Sequence, residues 1–300
     1  MGFLAIIALW PVLAERARRP MTCARQMRAP GQIARLPQGA THFRWTGSEH
    51  NPVVVCIHGV STPSFIFAAT ERTLASLGFR VLTYDLYGRG FSDRALGAQT
   101  VPFFLKQLEA LLSHERVDSP LTLLGFSMGG QIAAAFAAKD ARVARLILVA
   151  PSGLADTAAV EPGWVWRAPV IGDWMMRVFG GLMLRRELVE HKSLATVIPD
   201  FEDRQAAETR MRGYLPAILS SRRHTLDQPD IEAHRRVAER ALPVLAIWGA
   251  IDPVIPKRAM SGLSRVNPGA RHVEIKNAGH TLLQTHPSEV AAALTDFLDP

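Results

Sequence analysis

The feature that most constrains the fold is a series of short apolar runs spaced along the chain. Each run has four or five residues, the length of a strand, and is rich in Val, Ile or Leu without strict alternation of apolar and polar side chains. Strands that are buried on both faces have this composition, and parallel sheets bury both faces. The six runs cover residues 53–57, 81–84, 121–124, 146–150, 244–248 and 272–275.

Helical patterns lie between these runs. Apolar residues recur at spacings of three and four over residues 71–77, 103–112, 130–138 and 288–298, and a weaker strand pattern comes earlier, at 41–45. Strands that alternate with helices form βαβ units. The sequence therefore predicts an α/β fold with a mostly parallel central sheet flanked by helices, built from residues 37–150 and 242–300.

The alternation stops between residues 151 and 241. This segment contains no convincing buried strand and carries many Trp and Met side chains. It is expected to form an inserted, mostly helical cap over the core. Within it, Trp174 and Phe179 are candidates for contact with an apolar part of a substrate, and packing inside the cap explains them equally well.

The sharpest chemical motif is the sequence Gly125-Phe126-Ser127-Met128-Gly129, which follows a predicted strand and precedes a predicted helix. This pattern in a strand–turn–helix context is typical of a nucleophile elbow. The turn is so tight that side chains two residues before and after the serine would collide with the backbone, and glycine avoids the collision. Ser127 is therefore the predicted nucleophile.

A serine hydroxyl needs a neighbouring base to react at neutral pH. Asp252 comes just after the predicted strand at 244–248, and His280 just after the strand at 272–275. Catalytic groups gather at the carboxyl ends of strands in open α/β sheets. We therefore expect His280 to be the base and Asp252 the acid that orients it; His286 is the rival histidine, at a predicted helix start.

These motifs together resemble the α/β-hydrolase superfamily over residues 37–300. The matching pieces stand in the order of that family: His58-Gly59, the turn from Asp85 to Asp93, the elbow at Ser127, Gly249 with Asp252, and Gly279-His280. Within the superfamily, the sequence is most similar to capped serine esterases and monoacylglycerol-lipase-like members.

The resemblance implies a role for each residue. Ser127 would attack an acyl carbonyl, His280 would carry the proton, and Asp252 would fix the imidazole. The negative oxygen of the tetrahedral intermediate needs two preorganised donors. These would be the backbone N–H groups of Met128 and Val60, while His58, Asp85 and Arg89 would brace loops.

Three functions are compatible with this set of residues. The first is a serine hydrolase that cleaves carboxylic esters of hydrophobic acyl groups through an acyl-enzyme. The second is a carbon–carbon-bond hydrolase or an acyltransferase with the same residues. The third is a small-ligand receptor of this fold. Epoxide hydrolases and haloalkane dehalogenases carry aspartate at the elbow, so Ser127 argues against both.

The N-terminus differs in composition from the rest of the chain. Residues 1–14 are apolar with uncharged side chains, and five of the seven net positive charges of the protein fall before Leu36. We expect residues 1–20 to be a membrane anchor or interfacial helix and residues 21–36 a basic linker, with the catalytic body on the cytoplasmic side. A helix packed on the body, and a cleaved signal peptide that leads to the periplasm or the medium, are the alternatives.

Composition excludes several other classes. The body carries no basic face of the kind that binds nucleic acid, so no nucleic-acid partner is expected. Two cysteines, Cys23 and Cys56, cannot build a disulfide framework or a four-thiolate zinc site. No metal-ligand spacing, phosphate loop or dinucleotide motif is present, so no cofactor is expected, and the expected partner is a small-molecule ester.

Overall fold

The central feature of the computed structural model is an eight-stranded sheet, and the structure describes residues 2–154, 166–190 and 196–299. The strands are β1 (Gln32–Leu36), β2 (Gly39–Thr46), β3 (Val53–Ile57), β4 (Arg80–Tyr84), β5 (Leu121–Phe126), β6 (Val143–Val149), β7 (Val244–Gly249) and β8 (Arg271–Ile275). The described helices are α1 (Gly2–Ala17), α2 (Cys23–Gln26), α3 (Ala68–Ser76), α4 (Val101–His114), α5 (Met128–Ala137), α6 (Ile171–Glu190), α7 (Phe201–Glu208), α8 (Tyr214–Ser221), α9 (Ile231–Glu239), α10 (Lys257–Val266), α11 (Leu282–Thr285) and α12 (Pro287–Leu298).

The strand order is β1-β2-β4-β3-β5-β6-β7-β8. Strands β4, β3, β5, β6, β7 and β8 run parallel, and β1 and β2 join antiparallel at one edge. All five residues of β3 and all six of β5 are buried, as expected for strands covered by helices on both faces. The predicted fold class is confirmed, and each of the six apolar runs forms a strand.

The segment 21–36, expected to be a basic linker, contains regular secondary structure. It holds α2 and the edge strand β1, which pairs with β2 from Gln32–Phe43 to Leu36–Gly39. Gln26 is buried and its amide donates to the carbonyl of Phe91 and to Asp93. An edge strand is half exposed, so its sequence carries polar residues and resembles a loop.

The segment between β6 and β7 is mostly helical in its described parts; residues 155–165 and 191–195 lie outside them. A second apolar cluster lies here, distinct from the core around the sheet. We call it the cap cluster; its buried members are Trp166, Met176, Leu184, Met211, Tyr214, Leu215, Ile218 and Leu219. The last helix of the segment, α9, packs on α5 of the core.

Helix α1 packs along α6. Beyond its end, Arg18 donates to the backbone carbonyls of Arg177 and Thr209, at 2.6 and 3.3 Å. The chain around Arg19 runs beside Met211 in a single β-bridge. Among the described residues, no helix combines the length and apolar character that a bilayer crossing requires.

Candidate active site

The nucleophile elbow lies between β5 and α5. Ser127 has φ 53° and ψ −120°, a left-handed backbone conformation that is strained for a residue with a side chain. A Cβ atom at Gly129 would overlap the carbonyl of Ile57, and one at Gly125 would overlap the carbonyl of Gly129. The glycines on either side of Ser127 therefore have the steric reason that the sequence indicates.

The three predicted catalytic side chains lie together at the carboxyl ends of β5, β7 and β8. His280 Nε2 is 3.0 Å from Ser127 Oγ, and His280 Nδ1 is 2.9 Å from Asp252 Oδ2. A carboxylate only accepts hydrogen bonds, so Nδ1 carries the proton of the ring. Nε2 is then the free acceptor, and the serine hydroxyl donates to it.

Backbone groups and an aromatic ring hold this pair in place. Oδ1 of Asp252 accepts from the N–H groups of Val254 at 2.7 Å and Ile255 at 2.9 Å. The Asp252 side chain is only 3% exposed, and the ring of Phe126 packs against His280 with centroids 5.3 Å apart. The carboxylate and the imidazole are therefore both fixed before a substrate arrives. The sequence gives no signal for the two N–H groups, because they come from an unpatterned turn.

The loop after β3 approaches the nucleophile closely. A Cβ atom at Gly59 would lie 3.2 Å from the Cβ atom of Ser127, closer than ordinary van der Waals contact. Val60 follows in this loop, and Met128 is the first residue of α5, where helix N–H groups lack partners within the helix. Both predicted oxyanion donors thus belong to segments that flank Ser127.

The same loop is held from two directions. Arg89, which is fully buried, donates from Nε to the carbonyl of Val60 at 2.9 Å, and from Nη2 to Ser221 of α8 at 2.7 Å. Tyr214 at the start of α8 donates its hydroxyl to the carbonyl of Ser61 at 2.8 Å. We call this loop, residues 58–61, the oxyanion loop after its predicted donor Val60; it is linked both to the core and to the segment between β6 and β7. Sequence reasoning assigned Arg89 only a bracing role and did not identify Tyr214, which lies in no motif.

His58 has the bracing geometry that the sequence indicates. Its Nδ1 donates to the carbonyl of Gly59 at 2.8 Å, and its Nε2 accepts from the N–H of Leu86 at 2.9 Å. Burial lowers the pKa of His58 to about 4, so the ring is neutral at pH 7. With both nitrogens occupied, His58 cannot serve as a base for Ser127.

Asp85 organises the turn after β4. Its carboxylate accepts from the backbone N–H and hydroxyl of Ser64, from the N–H of Phe91, and from the imidazole of His42 at 2.7 Å. Burial alone would raise the pKa of Asp85, but the His42 and Ser64 hydrogen bonds hold it well below its ordinary value. Asp85 is thus a charged structural brace, as predicted for this turn.

The predicted substrate contacts, Trp174 and Phe179, are not among the buried members of the cap cluster. Trp174 is half-buried and packs edge to face on Phe179, with centroids 5.7 Å apart. Phe179 is 43% exposed. Val60 of the oxyanion loop packs against the buried cap cluster instead. A role for Trp174 and Phe179 in substrate binding stays a prediction.

His286, the rival histidine, lies at the start of α12, with its Nδ1 2.9 Å from the hydroxyl of Thr285. His280 therefore has the geometry of a base for Ser127, and His286 has a local helix-end setting. Among the described residues, no group of three or more His, Cys, Asp or Glu side chains is arranged to hold a metal ion.

The mostly parallel sheet, the serine elbow after β5 and the histidine after β8 together define a hydrolase of the α/β class. The chain belongs to the alpha/beta hydrolase fold family, whose model matches residues 52–287. It is 25% identical over 251 residues to a pimeloyl-acyl-carrier protein methyl ester esterase of Xanthomonas axonopodis pv. citri, which covers 83% of this chain and 96% of that one.

Two solved structures share the fold. The enol-lactonase of Burkholderia xenovorans LB400 superposes with a TM-score of 0.73 at 22% identity, over 90% of this chain and 100% of that one. A thermophilic esterase of Thermogutta terrifontis gives a TM-score of 0.71 at 24% identity, over 90% and 98%. At these identities the likeness establishes the fold, and the relatives' names are consistent with ester hydrolysis.

Proposed function

We propose that this protein is a carboxylic ester hydrolase that works through an acyl-enzyme on Ser127. The observation that carries the proposal is the unbroken hydrogen-bond chain from Ser127 to His280 to Asp252, with both contacts at or below 3.0 Å. A serine whose proton has a positioned acceptor, and whose acceptor is itself oriented by a buried carboxylate, is an activated nucleophile.

In the first step, Ser127 Oγ attacks the carbonyl carbon of the ester while its proton moves to His280 Nε2. The charge that develops on the imidazole is stabilised by Asp252, and the negative oxygen is received by the N–H groups of Val60 and Met128. Collapse of the tetrahedral intermediate breaks the carbon–oxygen bond, and the His280 proton passes to the leaving alcohol. Water then attacks the acyl-enzyme with His280 as base, which releases the acid and restores Ser127.

The proposed substrate is an ester of a hydrophobic acyl group. Support comes from the cap cluster, whose apolar side chains reach Val60 of the oxyanion loop. A scissile carbonyl bound at Val60 would have these side chains beside its acyl chain. Further support comes from three similar proteins whose names refer to esters or lactones. They are the pimeloyl-acyl-carrier protein methyl ester esterase, the thermophilic esterase and the enol-lactonase.

The test is a panel of p-nitrophenyl esters of increasing chain length, assayed with matched variants. His280→Ala should lower kcat by several orders of magnitude, whereas His286→Ala, the matched control, should leave it within about twofold. Asp252→Asn should cost on the order of 10⁴ in kcat, as the corresponding Asp→Asn substitution does in a serine protease with the same triad. The reverse ranking of the two histidines would refute the assignment.

The same panel separates the alternatives. Rapid turnover with a rise in kcat/KM toward longer chains supports the esterase. A protein whose Ser127 is acylated without ester turnover would be a carbon–carbon-bond hydrolase, an acyltransferase or a receptor, and the proposed reaction would be wrong.

A further inference from the structure

From residue 9 onward, helix α1 presents apolar side chains to solvent. Leu9, Trp10 and Leu13 are 57%, 51% and 54% exposed, whereas Pro11 between them is buried. A helix that packs on a soluble body normally turns its apolar face inward and its polar face outward. The described part of α1 has the opposite arrangement, so its outer face is suited to an apolar partner.

Polar contacts on the inner side fix this orientation. The carboxylate of Glu15 accepts from the N–H of Gly213, and Arg18 donates to the carbonyls of Arg177 and Thr209. These partners are backbone groups of the segment between β6 and β7. Since several bonds would have to break for α1 to rotate, the outward position of Trp10 is a stable property of the fold.

The helix against which α1 packs repeats the pattern. On α6, Ile171 and Leu182 are 57% and 58% exposed, and with the exposed Phe179 they lie within a quarter turn on one face. Arg185 and Arg186 follow on the same helix and are exposed. Arg16 near the end of α1 and Arg19 just beyond it are exposed, and they follow the apolar residues in the same way.

We propose that the outer face of α1, with the exposed stripe of α6 beside it, docks on an anionic lipid membrane. Apolar side chains next to exposed arginines match a bilayer whose surface carries negative charge. A symmetric contact between two copies would bring the same arginines together, and like charges oppose it. Because α1 packs along α6 with Leu9, Trp10 and Leu13 exposed on its side, the helix would lie in the plane of the interface.

The proposal does not depend on the reaction at Ser127. It predicts that the membrane contacts the protein on the side of α1 and α6. The polar bonds of Glu15 and Arg18 keep α1 attached to the segment between β6 and β7, so docking orients that segment relative to the bilayer.

The test uses the full chain and vesicles of phosphatidylcholine, with or without one quarter phosphatidylglycerol. The protein should sediment with the anionic vesicles and more weakly with the neutral ones. Trp10→Ser with Leu13→Ser should weaken binding about tenfold or more, because two apolar side chains leave the interface. Arg16→Gln with Arg19→Gln should weaken it about fivefold per residue on anionic vesicles and little on neutral ones. Leu96→Ser, at an exposed loop residue that is 96% accessible, is the matched control and should bind normally.

A second readout locates the contact and does not rely on a disruptive variant. Brominated acyl chains should quench part of the tryptophan fluorescence, and Trp10→Phe should keep vesicle binding but lose that part. Absence of binding to anionic vesicles, equal weakening by Leu96→Ser, or a stable dimer that Trp10→Ser with Leu13→Ser dissociates would overturn the proposal.

Discussion

Replacing Arg89 by Met should reduce both stability and turnover, because this buried side chain holds the oxyanion loop. Arg89 donates to the carbonyls of Val60 and Tyr87 at 2.9 Å each, and to Ser221 at 2.7 Å. Methionine fills similar space without a donor. Two buried carbonyls would lose their partner at about 1–3 kcal/mol each, so the free energy of unfolding should fall by about 4 kcal/mol. Ser221 still bonds to Gln99, which limits the further loss.

The effect on catalysis should fall on kcat. If the Val60 N–H is one of two oxyanion donors, full removal of such a donor costs about 10²–10³ in kcat. Loosening its loop should cost less, about tenfold to a hundredfold, with KM changed little. Steady-state kinetics on p-nitrophenyl acetate, at a temperature where urea titration shows the variant to be folded, measures this directly.

Arg94→Met is the matched control for the Arg89 variant. Arg94 is also largely buried and donates to the backbone carbonyls of Gly90, Ser92 and Arg212, so it too joins the turn after β4 to the segment between β6 and β7. It makes no described bond to Val60. Arg94→Met should lose stability and keep kcat. An Arg89→Met enzyme that is folded and has the kcat of the wild type would refute the positioning role.

Three further outcomes follow from the structure. Gly129→Ala should abolish activity and lower the yield of folded protein, because its Cβ atom would overlap the carbonyl of Ile57; a folded, active variant would contradict the elbow geometry. His234 is buried, both its ring nitrogens lack a partner among the described residues, and burial lowers its pKa to about 4. As the pH falls, His234 is therefore protonated in the unfolded chain before it is protonated in the folded protein. The free energy of unfolding should be highest above about pH 6.5 and should decrease toward pH 4. Chemical denaturation should show that His234→Phe removes about 3 kcal/mol of this decrease. Trp174→Ala or Phe179→Ala should shift chain-length preference in the ester panel if these residues touch the acyl group, whereas equal losses for all esters together with a lower Tm would indicate packing alone.

The parts of the fold that could be predicted from the sequence are those encoded by local patterns. Fully buried strands such as β3 and β5 need continuous apolar runs, and a nucleophile elbow needs glycine on both sides of Ser127. Strand β1 could not be recognised, because the edge strand Gln-Ile-Ala-Arg-Leu is short and its apolar residues are interrupted by polar ones. The position of β1 depends on its pairing with β2, and no local sequence pattern predicts that pairing.

The same distinction applies to the site. Asp252 and His280 could be located because both directly follow strands whose carboxyl ends meet at one edge of the sheet. The contacts of Arg89 with Ser221 and of Tyr214 with Ser61 join residues 132 and 153 positions apart. The orientation of α1 likewise depends on bonds from Glu15 and Arg18 to distant backbone groups. Contacts of this kind follow from the tertiary fold, and they produce no characteristic residue spacing that sequence analysis could detect.

The most direct test of the central claim is covalent labelling with a fluorophosphonate, followed by mass spectrometry of the peptides. The protein should gain a single phosphonyl group on Ser127, and the rate of labelling should fall strongly in His280→Ala but not in His286→Ala. Ser127→Ala should stay folded and take up no label. Labelling at another serine, or undiminished ester turnover by pure Ser127→Ala, would contradict the account.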